Sequence, residues 1–224
     1  MTRVHDMGGR FGDGAVVPEP QGIAEFKQEW HKTALALTVA AGGLGKWNID
    51  IGRHARESLS PLDYTRFSYY EKWIGGLADL LVETGILSRE ELISGRAAGT
   101  VDGAPVTGEM ISALIAQGGP STRESDVAQR FRIGQNVRAI RPAGNRLVTG
   151  GHTRLPQYAA GARGQILLTH GAHVLPDSSA HRLGDAPEPL YTVVFSASEL
   201  WTAPEHPKDE VTLDLWQSYL EPDA

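Results

Sequence analysis

Ser68-Tyr-Tyr-Glu-Lys-Trp-Ile-Gly-Gly-Leu-Ala-Asp-Leu-Leu-Val-Glu-Thr-Gly85 is the stretch that decides the fold. Ser68 and Glu71 stand at capping-box spacing. Tyr70, Trp73, Ile74, Leu77, Leu80 and Leu81 then recur at helical intervals until Gly85 stops the pattern. A helix of this kind needs partners for its apolar stripe, and its neighbours offer them. Upstream, Ile23, Phe26, Trp30, Ala34 and Leu37 keep helical spacing up to Gly42-Gly43. Asn48 is placed to cap a short helix carrying Arg53, His54, Arg56 and Glu57, and Ser60-Pro61 reads as a cap followed by proline at the first helical position. Ser88-Arg-Glu-Glu91 starts another short helix. Met110, Ile111, Leu114 and Ile115 belong to a last one before Gly118-Gly119-Pro120.

After Phe131 the period changes to two. Val137 and Ala139, Gln165–Thr169, Tyr191–Phe195 and Val211–Trp216 read as short strands separated by Gly, Pro and Asp turns. The expected organisation is α+β: an extended arm over 1–22, a helical domain over 23–117, a linker over 118–130, and a small antiparallel barrel or sandwich over 131–224. The arm, with Gly8, Gly9, Gly12, Gly14, Pro18 and Pro20, offers too little apolar surface to offset its chain entropy alone.

The chain has 224 residues and a net charge of −6, with no basic stretch able to follow a phosphate backbone. Nucleic acid is therefore not an expected partner. Cysteine is absent, which excludes disulfides, thiolate metal sites and thiol nucleophiles within this chain. The N-terminus shows no apolar leader, and no apolar run approaches the roughly 20 residues needed to span a bilayer. The expectation is a soluble cytoplasmic protein. Gly8-Gly-Arg-Phe-Gly-Asp-Gly14 superficially resembles a phosphate loop, but no strand precedes it and no lysine follows in place. His170 and His173 lie three apart in a strand-like segment, hence on opposite faces unless a bulge intervenes, so no metal site is expected within this chain.

Several landmarks in one order resemble the nitrile hydratase β subunit over nearly the whole chain. They are Val4-His-Asp-Met-Gly-Gly9, Phe26-Lys-Gln-Glu-Trp30, Asn48–Pro61, Tyr69-Tyr-Glu-Lys-Trp73 and Leu81–Leu87 in the first half. Phe131-Arg-Ile-Gly-Gln, Gly151-His-Thr-Arg154, His170-Gly with Pro176-Asp177, Leu190-Tyr-Thr-Val, Glu199-Leu-Trp201 and Asp214–Pro222 follow in the second. The resemblance implies a partner α subunit carrying Cys-x-x-Cys-Ser-Cys, which binds non-corrin Co(III) or non-haem Fe(III), and an α2β2 assembly. It implies an arm that wraps the α subunit and an SH3-like β-barrel in the C-terminal half. It also implies that two of the metal's cysteine ligands are oxidised to sulfenic and sulfinic acids. Arg53 and Arg154 match the family's two arginines that clamp those oxygens, a task suited to a planar, permanently charged fork.

By the same resemblance Tyr69 and Trp73 line a substrate pocket for a small nitrile, and a Trp at 73 leans towards cobalt. Tyr70 and Trp73, at i and i+3, also suit the helix core. Trp47 and Ile49 fit either the pocket wall or the core. His54 stands beside Arg53, and His152 is placed to hold the Arg154 loop. The chain departs from the family at Gly52, where a bulky aromatic is common, and at Thr38, Val39 and Gly42, in a stretch often rich in Phe. Both changes suggest a roomier pocket. Ala160 stands where an arginine is common. Two other readings remain: a thiocyanate hydrolase-like subunit, and a non-catalytic accessory or metal-loading protein, the latter resembling only the helical half.

Overall fold

The computed structural model describes residues 4–6, 18, 26–99 and 107–223. The proposed arm over 1–22, the glycine-rich loop at 8–14 and Ile23 therefore lie largely or wholly outside the described residues. The fold is α+β, and the chain divides into two compact units, one of residues 12–119 and one of 1–11 with 120–224.

The first unit is helical. α1 (Glu29–Gly42) is followed by α2 (Ile49–Glu57), α3 (Pro61–Arg66), α4 (Tyr69–Glu83), α5 (Arg89–Ser94) and α6 (Gly108–Gln117). Local chemistry sets the boundaries. The Asn48 side chain accepts from Ile51 N–H at 2.9 Å, Ser60 from Asp63 N–H at 3.1 Å, and Ser68 and Ser88 each close a capping box with Glu71 and Glu91. These caps satisfy donors that a helix start leaves orphaned, each contributing about 1 kcal/mol. Gly95 and Gly118 take left-handed φ of 64° and 67° directly after α5 and α6.

The first helix begins later than its spacing suggests. Gln28 is extended, and helix starts at Glu29. Phe26 precedes it, its ring 5.9 Å from that of Tyr70, so a tertiary contact on α4 rather than a helical repeat explains this apolar position. Tyr70 also packs on Trp30 and His31, joining α1 to α4. On its other side α4 meets α2 at Gly76, where a β-carbon would fall 2.8 Å from Arg56 Cγ and 3.2 Å from Arg56 N. Only glycine admits that approach.

The second unit carries a five-stranded antiparallel sheet in the order β4-β3-β2-β1-β5. The strands are β1 (Asn136–Ala139), β2 (Arg163–His173), β3 (Glu188–Ser196), β4 (Glu210–Trp216) and β5 (Leu220–Pro222). Short helices α7 (Pro176–Ser179) and α8 (Ala197–Leu200) flank β3. Val137, Ile166, Tyr191, Val193, Phe195, Leu215 and Leu220 are all at most 2 % exposed and form its core. Regular alternation through His170 and His173 is interrupted by a bulge: register shifts between Thr169 and Ala172, around Gly171 at φ 76°. The sheet is open, since among the described residues no ladder joins β4 to β5. Residues 120–131 run along this unit. Arg123 N–H bonds to Ala172 O, and Gln217 holds Ala128 O and Arg130 N–H.

Candidate functional site

The helical unit holds a cleft of about 840 Å³ between α1, α2, α4 and α6. Trp47, Ile49, Tyr69 and Trp73 supply aromatic and apolar wall, and Arg53 reaches the same space from α2. These five sequence candidates are thus brought together. Thr38, Val39 and Gly42 line the cleft as well. Tyr70 faces the other way, into its cluster with Phe26, Trp30 and His31. The Tyr69 and Trp73 rings lie 5.6 Å apart. Space opened by Gly52 is bordered by the Trp47 indole, which lies 3.8 Å from where a β-carbon would stand. His54 Nδ1 lies 4.0 Å from the Glu57 carboxylate on the same helix.

Two cations that motif reading passes over share this cleft, Arg56 and Lys72. Arg56 is half-buried. Its Nε–H donates to Gly52 O at 3.0 Å, and its guanidinium sits 4.6 Å from the Trp73 ring centroid. Burial, and next the neighbouring Arg53 charge, lower its pKa. Lys72 Nζ lies 4.2 Å from the Tyr64 ring centroid. The sequence signal for Arg56 was its spacing: at i and i+3 on a helix, Arg53 and Arg56 share a face.

In the sheet unit, the loop Gly151-His-Thr-Arg154 is fixed by the nearby Asn145 side chain and by side chains from far along the chain. Gly151 is packed so tightly that a β-carbon would meet His181 Nε2 at 2.5 Å, Asn145 Nδ2 at 2.8 Å and Val148 O at 2.9 Å. His152, 1 % exposed, donates its backbone N–H to His181 Nε2 at 2.9 Å, and its carbonyl accepts from Asn145 Nδ2. Arg154 N–H donates to Tyr219 Oη at 3.2 Å, and Tyr219 O–H in turn donates to the Asp177 carboxylate. Asp177 and Tyr219 are 4 % and 3 % exposed. Burial pushes the Asp177 carboxyl up to about 6 against the hydrogen bonds from Tyr219 and Thr153, and burial together with Asp177 pushes the Tyr219 hydroxyl up.

The outcome is a buried scaffold that presents an exposed arginine. His152 belongs to it through its backbone bonds and through a buried side chain whose charge acts on Asp177. Asn145, Asp177, His181 and Tyr219 have no spacing that announces this role. Among the described residues, the guanidinium groups of Arg53 and Arg154 make no hydrogen bond or ion pair. Near Ala160, Arg141 donates to the Ala160 carbonyl at 2.8 Å and 3.2 Å. Asp6 accepts from Gln157 N–H at 2.8 Å, tying the N-terminal residues to the same unit. Among the described residues no group of three or more His, Cys, Asp or Glu side chains could hold a metal, and no helix is long and apolar enough to cross a membrane.

The division into a helical unit and a β unit coincides with the reach of two family models. The nitrile hydratase β-subunit N-terminal model matches residues 1–118, and the C-terminal model matches residues 120–222. The chain belongs to the nitrile hydratase β-subunit family. It is 35 % identical to the nitrile hydratase subunit β of Pseudomonas putida, covering 99 % of this chain and 100 % of that one. It is equally similar, with the same coverage, to the low-molecular-weight cobalt-containing nitrile hydratase subunit β of Rhodococcus rhodochrous. The cobalt-containing subunit β of Pseudonocardia thermophila is 31 % identical over 99 % of this chain and 96 % of its own. Among solved structures, a thiocyanate hydrolase chain from Thiobacillus thioparus aligns at 20 % identity with a TM-score of 0.37, over 61 % of this chain and 98 % of that one.

Proposed function

We propose that this chain is the β subunit of a heteromeric, cytoplasmic nitrile hydratase, which adds water across the C≡N bond of a small nitrile to give the amide. Full-length relatives in both halves favour this over an accessory protein built on the helical half alone. On this reading the chain is active only with an α subunit carrying Cys-x-x-Cys-Ser-Cys, in an αβ unit that pairs into α2β2. The α subunit's Co(III) or Fe(III) supplies, when bound, a Lewis acid for the hydration. The cobalt-containing relatives and Trp73 favour cobalt.

One observation carries the reading: Arg53 and Arg154 are both exposed, both fixed at the backbone, and both without a polar partner among the described residues. Among the described residues neither fork meets a carboxylate, which leaves each open to an anion supplied by a partner chain. Oxidised sulfurs in a buried interface are such anions, and burying them unpaired is costly. Arg53 projects from a capped helix, Arg154 from a loop with its peptides held. Each can therefore donate paired hydrogen bonds without first being ordered. Trp47, Ile49, Tyr69 and Trp73 then form the wall against which the nitrile's organic part rests. An SH3-type barrel remains part of this proposal. Supporting it, the two edge strands are consecutive in the chain and joined by a tight turn over Gln217–Tyr219.

The test is co-production with the α subunit, metal analysis and an amide-forming assay. Arg53→Lys or Arg154→Lys should each lower kcat by roughly 10²-fold, the scale of removing one preorganised donor from a reacting centre. Mutant complexes with normal turnover and intact cysteine oxidation would sink the clamp.

A further inference from the structure

The cleft has the opposite charge to the molecule around it. The chain carries −6, yet the ionised groups lining the cleft are Arg53, Arg56 and Lys72 against Glu57. Proposing Arg53 for the partner's sulfur oxygens leaves Arg56 and Lys72 to face whatever enters. Lys72 rests on the Tyr64 ring. Arg56 is more constrained. Its stem is wedged against Gly76, its Nε–H is taken by Gly52 O, and its guanidinium carbon lies 4.6 Å from the Trp73 ring centroid. This leaves the terminal Nη groups, for which no acceptor stands among the described residues. A half-buried guanidinium held rigidly on three sides, with its remaining donors open to an aromatic cleft, is preorganised for an acceptor.

Nothing about adding water to a nitrile requires such a group. A neutral aliphatic nitrile would use the walls alone and offer those donors nothing, whereas a carboxylate-bearing nitrile would give them a charged acceptor. Building on the hydratase reading, we propose that this cleft selects nitriles whose organic part carries an anionic group, with Arg56 as the specificity-determining residue. The aromatic walls suit a ring between the nitrile and the carboxylate. Trp73 and Arg56 would then hold the ring and the charge side by side, and Glu57 opposes the preference from the next position.

The experiment uses the αβ complex and two nitriles of similar size, 4-cyanobenzoate and 4-cyanotoluene, with kcat/KM measured for each. The expected wild-type ratio favours the carboxylate by roughly tenfold or more, the scale of one charge-assisted pair in a partly desolvated site. Arg56→Met, which keeps most of the stem, should collapse that ratio mainly through KM. Arg56→Lys should restore part of it, and Glu57→Gln should raise it. Titration calorimetry with the two amide products gives the same comparison without turnover. A general packing defect lowers both substrates together and leaves the ratio unmoved, and that result overturns the proposal. So does a wild-type ratio near one. Amide formed from 4-cyanotoluene with a flat ratio removes only the preference for anions. No amide from either nitrile removes the hydratase reading and this proposal with it.

Discussion

The two exposed arginines are presented by different physical means. Arg53 stands on α2, where the backbone satisfies itself and one capping side chain, Asn48, sets the start. Its bearing follows from helical geometry and from the Gly76 contact that seats α2 on α4. Arg154 stands on a loop with no repeating structure, so each peptide needs its own partner. His181, Asn145 and Tyr219 provide them, and Asp177 holds Tyr219. The helix achieves placement with exposed, inexpensive parts. The loop requires buried polar atoms, each of which costs stability if its partner is lost. Perturbation should therefore be far more damaging around Arg154 than around Arg53.

The sharpest contrast is between two glycines. Gly151→Ala places a β-carbon 2.5–2.9 Å from a His181 nitrogen, the Asn145 amide and the Val148 carbonyl, the last of which is backbone. The expected loss is at least about 3 kcal/mol, the upper end for overpacking a tight site. Amide formation by the complex should fall together with its thermal stability. A variant with unchanged melting temperature and turnover would show that the loop has slack, and the contrast with Arg53 would disappear.

Asp177 gives the buried scaffold a pH signature. Its carboxyl titrates near pH 6 in the folded chain, against about 4 when unfolded. Between those values the folded state holds the extra proton, so the contribution is complete below about pH 4 and is lost as pH rises through about 6. A shift of about two pKa units corresponds to up to about 3 kcal/mol for so buried a group. Asp177→Asn, neutral throughout, should remove that slope. The difference in melting temperature between variant and wild-type complexes should then change from pH 5 to pH 7. A constant difference would place the titration elsewhere.

The same contrast explains what the sequence discloses. Asn48, Ser60, Ser68 and Ser88 cap the helices they announce, because a cap is a local bargain among four residues. Gln165–Thr169, Tyr191–Phe195 and Val211–Trp216 fall within β2, β3 and β4 for a similar reason, alternation being visible in one strand. β5 escapes notice, since three residues carry no period. Its place depends on Ala139↔Leu220 pairing across the sheet. The cleft's walls could be named from motifs, but the anchors of Arg154 could not. Asn145 lies 7 residues from its partner His152, but His181 bonds across 29 residues and Tyr219 across 42 to Asp177 and 65 to Arg154. Only tertiary structure creates that spacing.

Gly52→Ala is the smallest test and runs opposite to Gly151→Ala. Gly52 lies within α2, in right-handed helix, and its added β-carbon would meet only the Trp47 indole, at 3.8 and 3.9 Å, which is ordinary contact. The gain in helix propensity is then about 0.5–1 kcal/mol, because alanine restricts the unfolded chain and needs no room made for it. Thermal melting of the complex should rise by a few degrees at most, and the cleft should narrow slightly beside Arg53. A destabilised Gly52→Ala complex would mean that Trp47 cannot tolerate a methyl beneath it. The helical site would then be as closely packed as the Arg154 loop, and the two arginines would no longer differ in how they are held.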